Sequence, residues 1–325
     1  MRESLRQSAT DSVINLDKAP SLTSYDAVEE IKRLLGVRKV GHAGSLDPFA
    51  TGVLLVCTGR ATKLTRFLME LEKAYSGTIR LGFETDTDDS TGRAVSETTE
   101  LTVTKEELLR AAATFTGEVL QRPPRVSALK LNGRRLYEMA RSGESFEPEA
   151  RSVTIHEFEI TAFDSPDVEF RLRCSRGTYV RSVARDLGRL FGCGGHLREL
   201  RRTKVGQFAV EEAVTLDRLR ECLGRPGEQA ENGPAERVPG LWSMEEALSF
   251  LPGLFLRKEA VVRVLDGRSP GLEDIEKTDG RASKGGRVRV MSPEGELLAI
   301  GTVPASEGEP VVRLERVLAR RRLPE

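Results

Sequence analysis

The stretch VGHAGSLDPFATGVLLVCTGRATKL, residues 40–64, holds one carboxylate, Asp47, on a Gly/Ser-rich turn closed by Pro48. The next acidic residue is Glu70. An aspartate ahead of proline often only caps a turn. Here Gly41 and Gly44 let the backbone approach another group closely, and Pro48 fixes the chain just after the acid. A rigid carboxylate with no acidic neighbour in sequence stays ionised and suits a nucleophile or a base. It lacks the second nearby carboxylate of a glycosidase pair. Tyr179 and Arg181 lie two apart in TYVR, so an extended backbone would turn both to one face. The four cysteines form no CxxC pair, and no second ligand cluster accompanies the three histidines, so metal-ligand spacing is absent.

These residues need elements to position them. SVINLD reads as a short strand, and TSYDAVEEIKRLLG as a helix capped by Thr23 or Ser24 and ended by Gly36. Val28, Ile31, Leu34 and Leu35 give that helix one apolar face, and it delivers the chain to the Asp47 turn. GVLLVC, AYSGTIRLGF and VEFRLRCS read as strands. TKEELLRAAATFTG is a second helix, with Thr104 and Glu107 as a capping box and Gly117 as its stop. RGTYVRSVARDLGRLFG reads as a turn and an amphipathic helix, and ETDTDDSTGR as an acidic, turn-rich loop. Residues 1 to about 12 are polar and expected to be loose. GRPGEQAENGPAERVPG, about 224–240, has linker composition, so two separately folding parts are expected, the second small and β-rich.

Lys+Arg and Asp+Glu both number 50 in 325 residues, so net charge names no partner and its distribution must be read instead. Residues 171–204 carry ten Lys/Arg against Asp186 and Glu199. Arg122, Arg125, Lys130, Arg134, Arg135 and Arg141 stand against Glu138 alone. Two such runs flanking the Asp47 motif imply a surface polarised toward nucleic-acid phosphate. No run of about 18 apolar residues suggests a membrane span, and MRESLRQSATDS lacks the apolar core of a signal peptide. A cytoplasmic protein with free thiols is expected.

GHAGSLDPFATGVLLVCTGRATKL is similar to the catalytic motif of pseudouridine synthases of the TruB type, which modify uridine 55 in the T loop of transfer RNA. KAYSGTIRLGFETDTDDSTG, SALKLNGRRLYEMARSG, RGTYVRSVARDLG and GCGGHLRELRRTKVGQF follow in the family's order, so the resemblance covers roughly residues 12–216. It implies an α+β pseudouridine synthase fold, with a central mixed, largely antiparallel sheet flanked by helices, over residues 1–238. A basic insertion that clamps the T loop, about 122–150, would include Arg134 and Arg135. Residues 239–325 resemble a PUA-type RNA-binding domain, on VLDGRSPG and GGRVRVMSPEGELLAIGTV.

The resemblance implies an enzyme that breaks the C1′–N1 bond of a uridine, rotates the base and rejoins it through C5, with no metal or organic cofactor. Asp47 aligns with the essential aspartate; attack on the sugar, attack on the base and proton abstraction at C2′ all stay open. Tyr75 aligns with the tyrosine that stacks on the base, and Arg181 with the arginine paired to the aspartate. His42, Tyr179 and Leu200 align with residues around the extruded nucleotide. Lys18 resembles the lysine of a KPxGxTS motif, from which KAPSLTS departs at Ala19 and Leu22. The implied partner is the T-arm of transfer RNA, with no membrane and no obligate protein partner; a monomer is expected, with a tRNA-folding activity alongside catalysis. The other readings are a non-catalytic RNA-binding or RNA-folding module, and a relative acting on guide-selected uridines inside a larger particle. Asp47, Tyr75, Tyr179 and Arg181 occurring together favour an enzyme, and the basic insertion favours one that stands alone.

Overall fold

Apolar alternation in VINLDK and the buried run TGVLLVCT pair two strands at the heart of the protein, β1 (Val13–Lys18) and β3 (Thr51–Thr58). The computed structural model describes residues 9–98, 101–131, 133–223, 239–305 and 311–319. The other strands of the main sheet are β2 (Val40–His42), β4 (Lys73–Leu81), β7 (Gly117–Gln121), β10 (Arg151–Asp164), β11 (Asp167–Cys174), β12 (Gly195–Val205), β13 (Phe208–Ala209) and β14 (Leu241–Trp242). Their order is β14-β1-β3-β12-β4-β11-β10-β7, with β2 beside β3 and β13 beside β12. Between them lie two short ribbons, β5 (Phe83–Thr85) with β6 (Ala94–Glu97), and β8 (Lys130–Leu131) with β9 (Arg134–Arg135).

Among the described strands of the main sheet only the β3–β12 pairing is parallel, and it consists of two registered pairs, Thr51 with Arg201 and Gly52 with Arg202. This seam joins two half-sheets, one carrying the Asp47 turn and the other Tyr75. At the seam Gly52 has φ +99°, and a Cβ there would lie 2.2 Å from the Arg202 carbonyl oxygen. No residue but glycine fits that approach without displacement. The sheet is mixed and largely antiparallel, as expected.

The Ser24–Leu35 helix covers the first half-sheet, burying Ala27, Val28, Ile31 and Leu34 against Ile14, Leu54 and Val56. Its N-cap is Thr23, in a capping box with Asp26, and Gly36 ends it at φ 66°. The Val180–Leu190 helix packs Val183, Ala184 and Leu187 into the second core with Ile79, Phe170 and Leu197. The Thr104/Glu107 capping box is present, but that helix stops at Thr114, and Gly117, at φ 104°, begins β7 instead.

Residues 9–12, expected to be loose, are pinned. Ala9 is fully buried, its carbonyl accepts from the Thr58 hydroxyl at 2.6 Å, and Asp11 pairs with Arg60 at 2.7 Å. Residues 1–8 lie outside the described residues, as does the linker over 224–238.

The C-terminal strands, β15 (Gly253–Leu256), β16 (Ile275–Asp279), β17 (Arg287–Met291), β18 (Leu297–Thr302) and β19 (Arg313–Val317), form a sheet in the order β16-β15-β17-β18-β19. Two features correct the division at residue 238. Leu241 and Trp242 belong to the main sheet, paired with β1. Met291, Leu297, Ile300 and Leu318 share one buried cluster with Leu64, Phe67, Phe208 and Leu248. Lys63 Nζ donates to the Val317 carbonyl at 3.0 Å across the same boundary. Among the described residues, no helix is long and apolar enough to cross a membrane.

A chain ending at residue 238 should therefore lose more than RNA contacts. Four of these side chains, at roughly 1.5–3 kcal/mol each, amount to the whole stability of a typical domain, about 5–15 kcal/mol. We expect residues 1–238 to melt well below the full chain by circular dichroism. Equal melting temperatures would show that the shared cluster contributes little.

Candidate active site

The Asp47 turn is held at every carbonyl. Gly44 O and Ser45 O accept from the Arg202 guanidinium at 3.2 and 3.1 Å, and Leu46 O from the Ser24 hydroxyl at 3.1 Å. Asp47 O accepts from Ala50 N at 3.1 Å, and Pro48 O from Ser21 N at 2.9 Å and Lys18 Nζ at 3.1 Å. The Ser24 hydroxyl also receives Leu46 N at 2.9 Å, so Ser24 clasps the turn while Thr23 caps the helix. A turn so fixed presents its side chain in one position, the condition for preorganised chemistry.

That side chain meets Arg181. Nε donates to Asp47 Oδ2 at 3.0 Å and Nη2 to Oδ1 at 3.1 Å, a bidentate fork. Nη1 donates to Thr87 O at 2.9 Å, Nη2 to Val126 O at 3.1 Å, and Asp89 Oδ2 lies 3.4 Å from Nη1. The Arg181 side chain is 6 % exposed and that of Asp47 34 %, so the carboxylate faces the opening with the guanidinium behind it. Asp89 in turn receives Thr87 Oγ1 at 2.8 Å, Thr91 N at 3.0 Å and Thr91 Oγ1 at 2.6 Å. Next to it, Arg185 pairs with Asp88 at 2.8 Å; burial pushes the Asp88 carboxyl up, and the guanidinium opposes this.

Asp47 is thus solitary in sequence but not in space, since the loop read as merely acidic supplies Asp89 to the same guanidinium. The extended TYVR reading also changes. Tyr179 is extended, at φ −100° and ψ 109°, but it is the N-cap of a helix that begins at Val180, and Arg181 reaches the site from the first turn. Buried Gln121 fixes that cap, donating to Tyr179 O at 3.0 Å and accepting from Tyr179 N at 2.7 Å. Burial pushes the Tyr179 phenol up.

Tyr75 is buried in β4. Burial pushes its phenol up to about 12, and the charge of Arg202 acts in the opposite direction. It is a neutral phenol at pH 7. His42, half-buried on β2, is pushed down by burial and then by the Arg202 charge, so it is neutral as well. Leu200, on β12 opposite Gly77, lines a groove of 670 Å³ with Phe49, Thr51, Ser76 and Arg201, just past the Asp47 turn in the chain.

Lys18, expected among the RNA-binding residues, is fully buried under the turn. Its Nζ donates to Ala19 O and Leu22 O at 2.8 Å each, besides Pro48 O. Burial pushes it down to about 8, and the Asp47 charge pulls it back. Ala19 and Leu22, the departures in KAPSLTS, contribute only carbonyls to it, so they leave this geometry intact.

Arg134 and Arg135 lie exposed on β9, away from the pocket, and Arg134 forks onto Glu144 at 3.0 and 2.8 Å. Val126 and Ser127, at the base of the same insertion, do reach the site. The polarised surface is also corrected. From 171 to 202, every arginine except Arg202 faces a carboxylate, including Arg173 with Glu72 at 3.0 Å, Arg189 with Glu84 at 2.7 Å and Arg201 with Asp17 at 2.8 Å. Exposed pairs of this kind contribute only about 0–1 kcal/mol, so an RNA phosphate can displace the carboxylate.

Comparison with known proteins decides the family. Residues 32–180 match the model described as TruB family pseudouridylate synthase (N terminal domain). Residues 181–248 match the tRNA pseudouridylate synthase B C-terminal domain. The chain is 42% identical over 300 residues to the tRNA pseudouridine synthase B of Burkholderia pseudomallei (strain 668), spanning 92% of this chain and 95% of the relative. It is 47% identical over 247 residues to that of Aromatoleum aromaticum, 76% of this chain and 80% of the relative.

The chain belongs to the TruB family.

It is accordingly a pseudouridine synthase, an isomerase, and its fold is the pseudouridine synthase fold. An H/ACA ribonucleoprotein structure bound to a substrate RNA containing 2′-deoxyuridine includes a chain that superposes with a TM-score of 0.74 at 26% identity, covering 98% of this chain and 88% of that one. A Cbf5-Nop10-Gar1 complex matches equally well, with a TM-score of 0.74. The TruB family model meets the C-terminal model between Val180 and Arg181, inside the helix that supplies the guanidinium.

Because the Tyr75 phenol ionises only near 12, it offers a hydroxyl rather than a ready base in this TruB-family site. We expect wild type and Tyr75→Phe to show pH–rate profiles of one shape between pH 6 and 9, differing in height. A limb present in wild type and lost in the variant would assign Tyr75 a titrating role.

Proposed function

We propose that this enzyme converts uridine 55 in the T loop of transfer RNA into pseudouridine, with Asp47 as the reacting carboxylate. The observation that carries this reading is the bidentate fork of the buried Arg181 guanidinium on the partly exposed Asp47 carboxylate. Buried nitrogen donors behind the carboxylate hold it aimed at whatever enters. A uridine stacked inside an RNA loop reaches it only by flipping out. Tyr75 then offers a ring face to the base, and Leu200 fills the groove beside it.

The reaction needs nothing beyond these groups. The C1′–N1 bond breaks with its electron pair going to uracil, C5 attacks C1′, the proton on C5 leaves to solvent and N1 takes up a proton, so the change is an isomerisation in which atoms and electrons balance without an oxidant. Attack on the sugar, attack on the base and proton abstraction at C2′ all use the same fixed carboxylate. One acid suffices because the base is both leaving group and returning nucleophile.

Transfer RNA is favoured as substrate by the named relatives, at 41–47% identity, over a guide-dependent assignment, since the ribonucleoprotein chains match at 26–27%. Affinity would come from the exposed arginines, from the 122–150 insertion acting as a clamp, and from the C-terminal sheet as a PUA-like surface. An enzyme acting on transfer RNA with buried free thiols at Cys57, Cys174 and Cys193 fits a cytoplasmic setting.

Asp47→Asn should abolish tritium release from transfer RNA made with 5-tritiated uridine while leaving RNA affinity nearly unchanged, because binding rests on phosphate contacts. Release at near wild-type rate would sink the assignment of Asp47, and release by wild type only with added protein would point to the guide-dependent reading.

Affinity should fall steeply with salt, each phosphate contact adding about −0.9 or less to the log–log slope. Replacing Arg134 and Arg135 with alanine should flatten it. An unchanged slope would show that this ribbon does not touch RNA.

A further inference from the structure

Arg202 is the least explained charge in the molecule. It is 2 % exposed, and no ion pair with a carboxylate is formed by it among the described residues. Its Nε donates to Val53 O at 2.6 Å, and its terminal nitrogens to Ser45 O and Gly44 O at 3.1 and 3.2 Å. Its backbone stands in register with Gly52 of β3 on one side and Tyr75 of β4 on the other. A buried cation without a counter-ion is a costly way to fill a sheet interior. An apolar side chain would fill that volume, but it could not bond three carbonyls across the seam.

We infer that Arg202 is a positioning residue for isomerisation, fixing the Asp47 turn on one half-sheet against Tyr75 on the other. The inference rests on Asp47 being the reacting carboxylate. The backbone seam between the halves holds only two registered pairs; Leu46 and Ala50 pack in one cluster with Tyr75, Arg181 holds the carboxylate itself, and Arg202 ties the turn's carbonyls to the seam strand. Arg202 adds three hydrogen bonds there, two of them to carbonyls two and three residues ahead of Asp47. Arg181 orients the carboxylate from behind, and Arg202 orients the turn that carries it. The charge of Arg202 is felt at Tyr75, His42 and Lys18. Arg202 touches neither base nor ribose in this account, so its effect belongs in kcat and not in RNA affinity.

The test uses the full chain, transfer RNA carrying 5-tritiated uridine, and enzyme in excess, so that a single turnover reports the chemical step. Arg202→Lys keeps the charge but cannot span three carbonyls. We expect its single-turnover rate to fall at least about tenfold, as it would for a lost transition-state alignment worth one decade. Its dissociation constant for RNA should stay within about threefold of wild type. Gly52→Ala forces the same seam apart from the other strand and should give the same rate-only loss. Each variant is assayed well below its own melting temperature. A merely structural arginine would lower that temperature while leaving the rate of the folded enzyme unchanged.

A folded Arg202→Lys enzyme within about twofold of wild-type rate, or a rate loss matched by an equal loss of RNA affinity, overturns the inference. If Gly52→Ala does not fold, Arg202→Lys decides alone. Asp47→Asn runs alongside. If it is inactive while Arg202→Lys keeps full rate, only the role of Arg202 is wrong; if Asp47→Asn is active, the assignment of Asp47 is wrong.

Discussion

A guanidinium taken almost wholly out of water must have its donors met, and Arg181 makes four hydrogen bonds, two to Asp47 and one each to Thr87 and Val126, with the Asp89 carboxylate beside it at 3.4 Å. Those partners come from three segments far apart in sequence: the turn between β2 and β3, the β5–β6 loop and the base of the 122–150 insertion. The helix bearing Arg181 is the fourth. Each is therefore tied to the others through one buried charge. Removing a partner from such a group strands it, at a cost of about 3–5 kcal/mol. The arrangement selects the folded state in which the carboxylate points outward, which is the state the proposed reaction uses.

The turn beneath Asp47 follows the same logic with cations and carbonyls. Lys18 and Arg202 are both buried, and both donate to the backbone of the turn. The Asp47 charge acts on Lys18. Positive charge behind the turn suits the proposed reaction, in which uracil is briefly released with an extra electron pair. Function here comes less from reactive residue types than from the immobility imposed on one ordinary aspartate.

Much of this was legible in the sequence, and the exceptions have physical causes. Asp47 stood out because Gly and Pro around it restrict the backbone, and the helices over 24–35 and 180–190 showed their period. Strands β10 and β12 did not. Each contains two β-bulges, between Ile155 and Glu157 and Ile160 and Ala162 in one, and between Leu197 and Glu199 and Arg202 and Lys204 in the other. A bulge inserts one residue and flips the alternation after it, so the period-two signal cancels over the strand. The central strand β12 therefore read as a basic surface run, and buried Arg202 was counted with its exposed neighbours. Asp89 was hidden for another reason: an acidic, turn-rich loop has the composition of a solvated segment, and only tertiary structure shows it folded onto an arginine about ninety residues away. The linker composition likewise suggested two independent units, while the shared cluster around Phe67, Leu297 and Ile300 depends on contacts that composition does not encode.

The account turns on the Asp47–Arg181 fork serving the chemical step rather than RNA binding. The most direct measurement is the single-turnover rate of Arg181→Lys on 5-tritiated transfer RNA, taken together with its dissociation constant for the same RNA. An ammonium cannot make a planar fork, so the account predicts a rate loss of at least roughly fivefold, about 1 kcal/mol, with the dissociation constant little changed. A rate within about twofold of wild type, or a loss confined to RNA affinity, would contradict it.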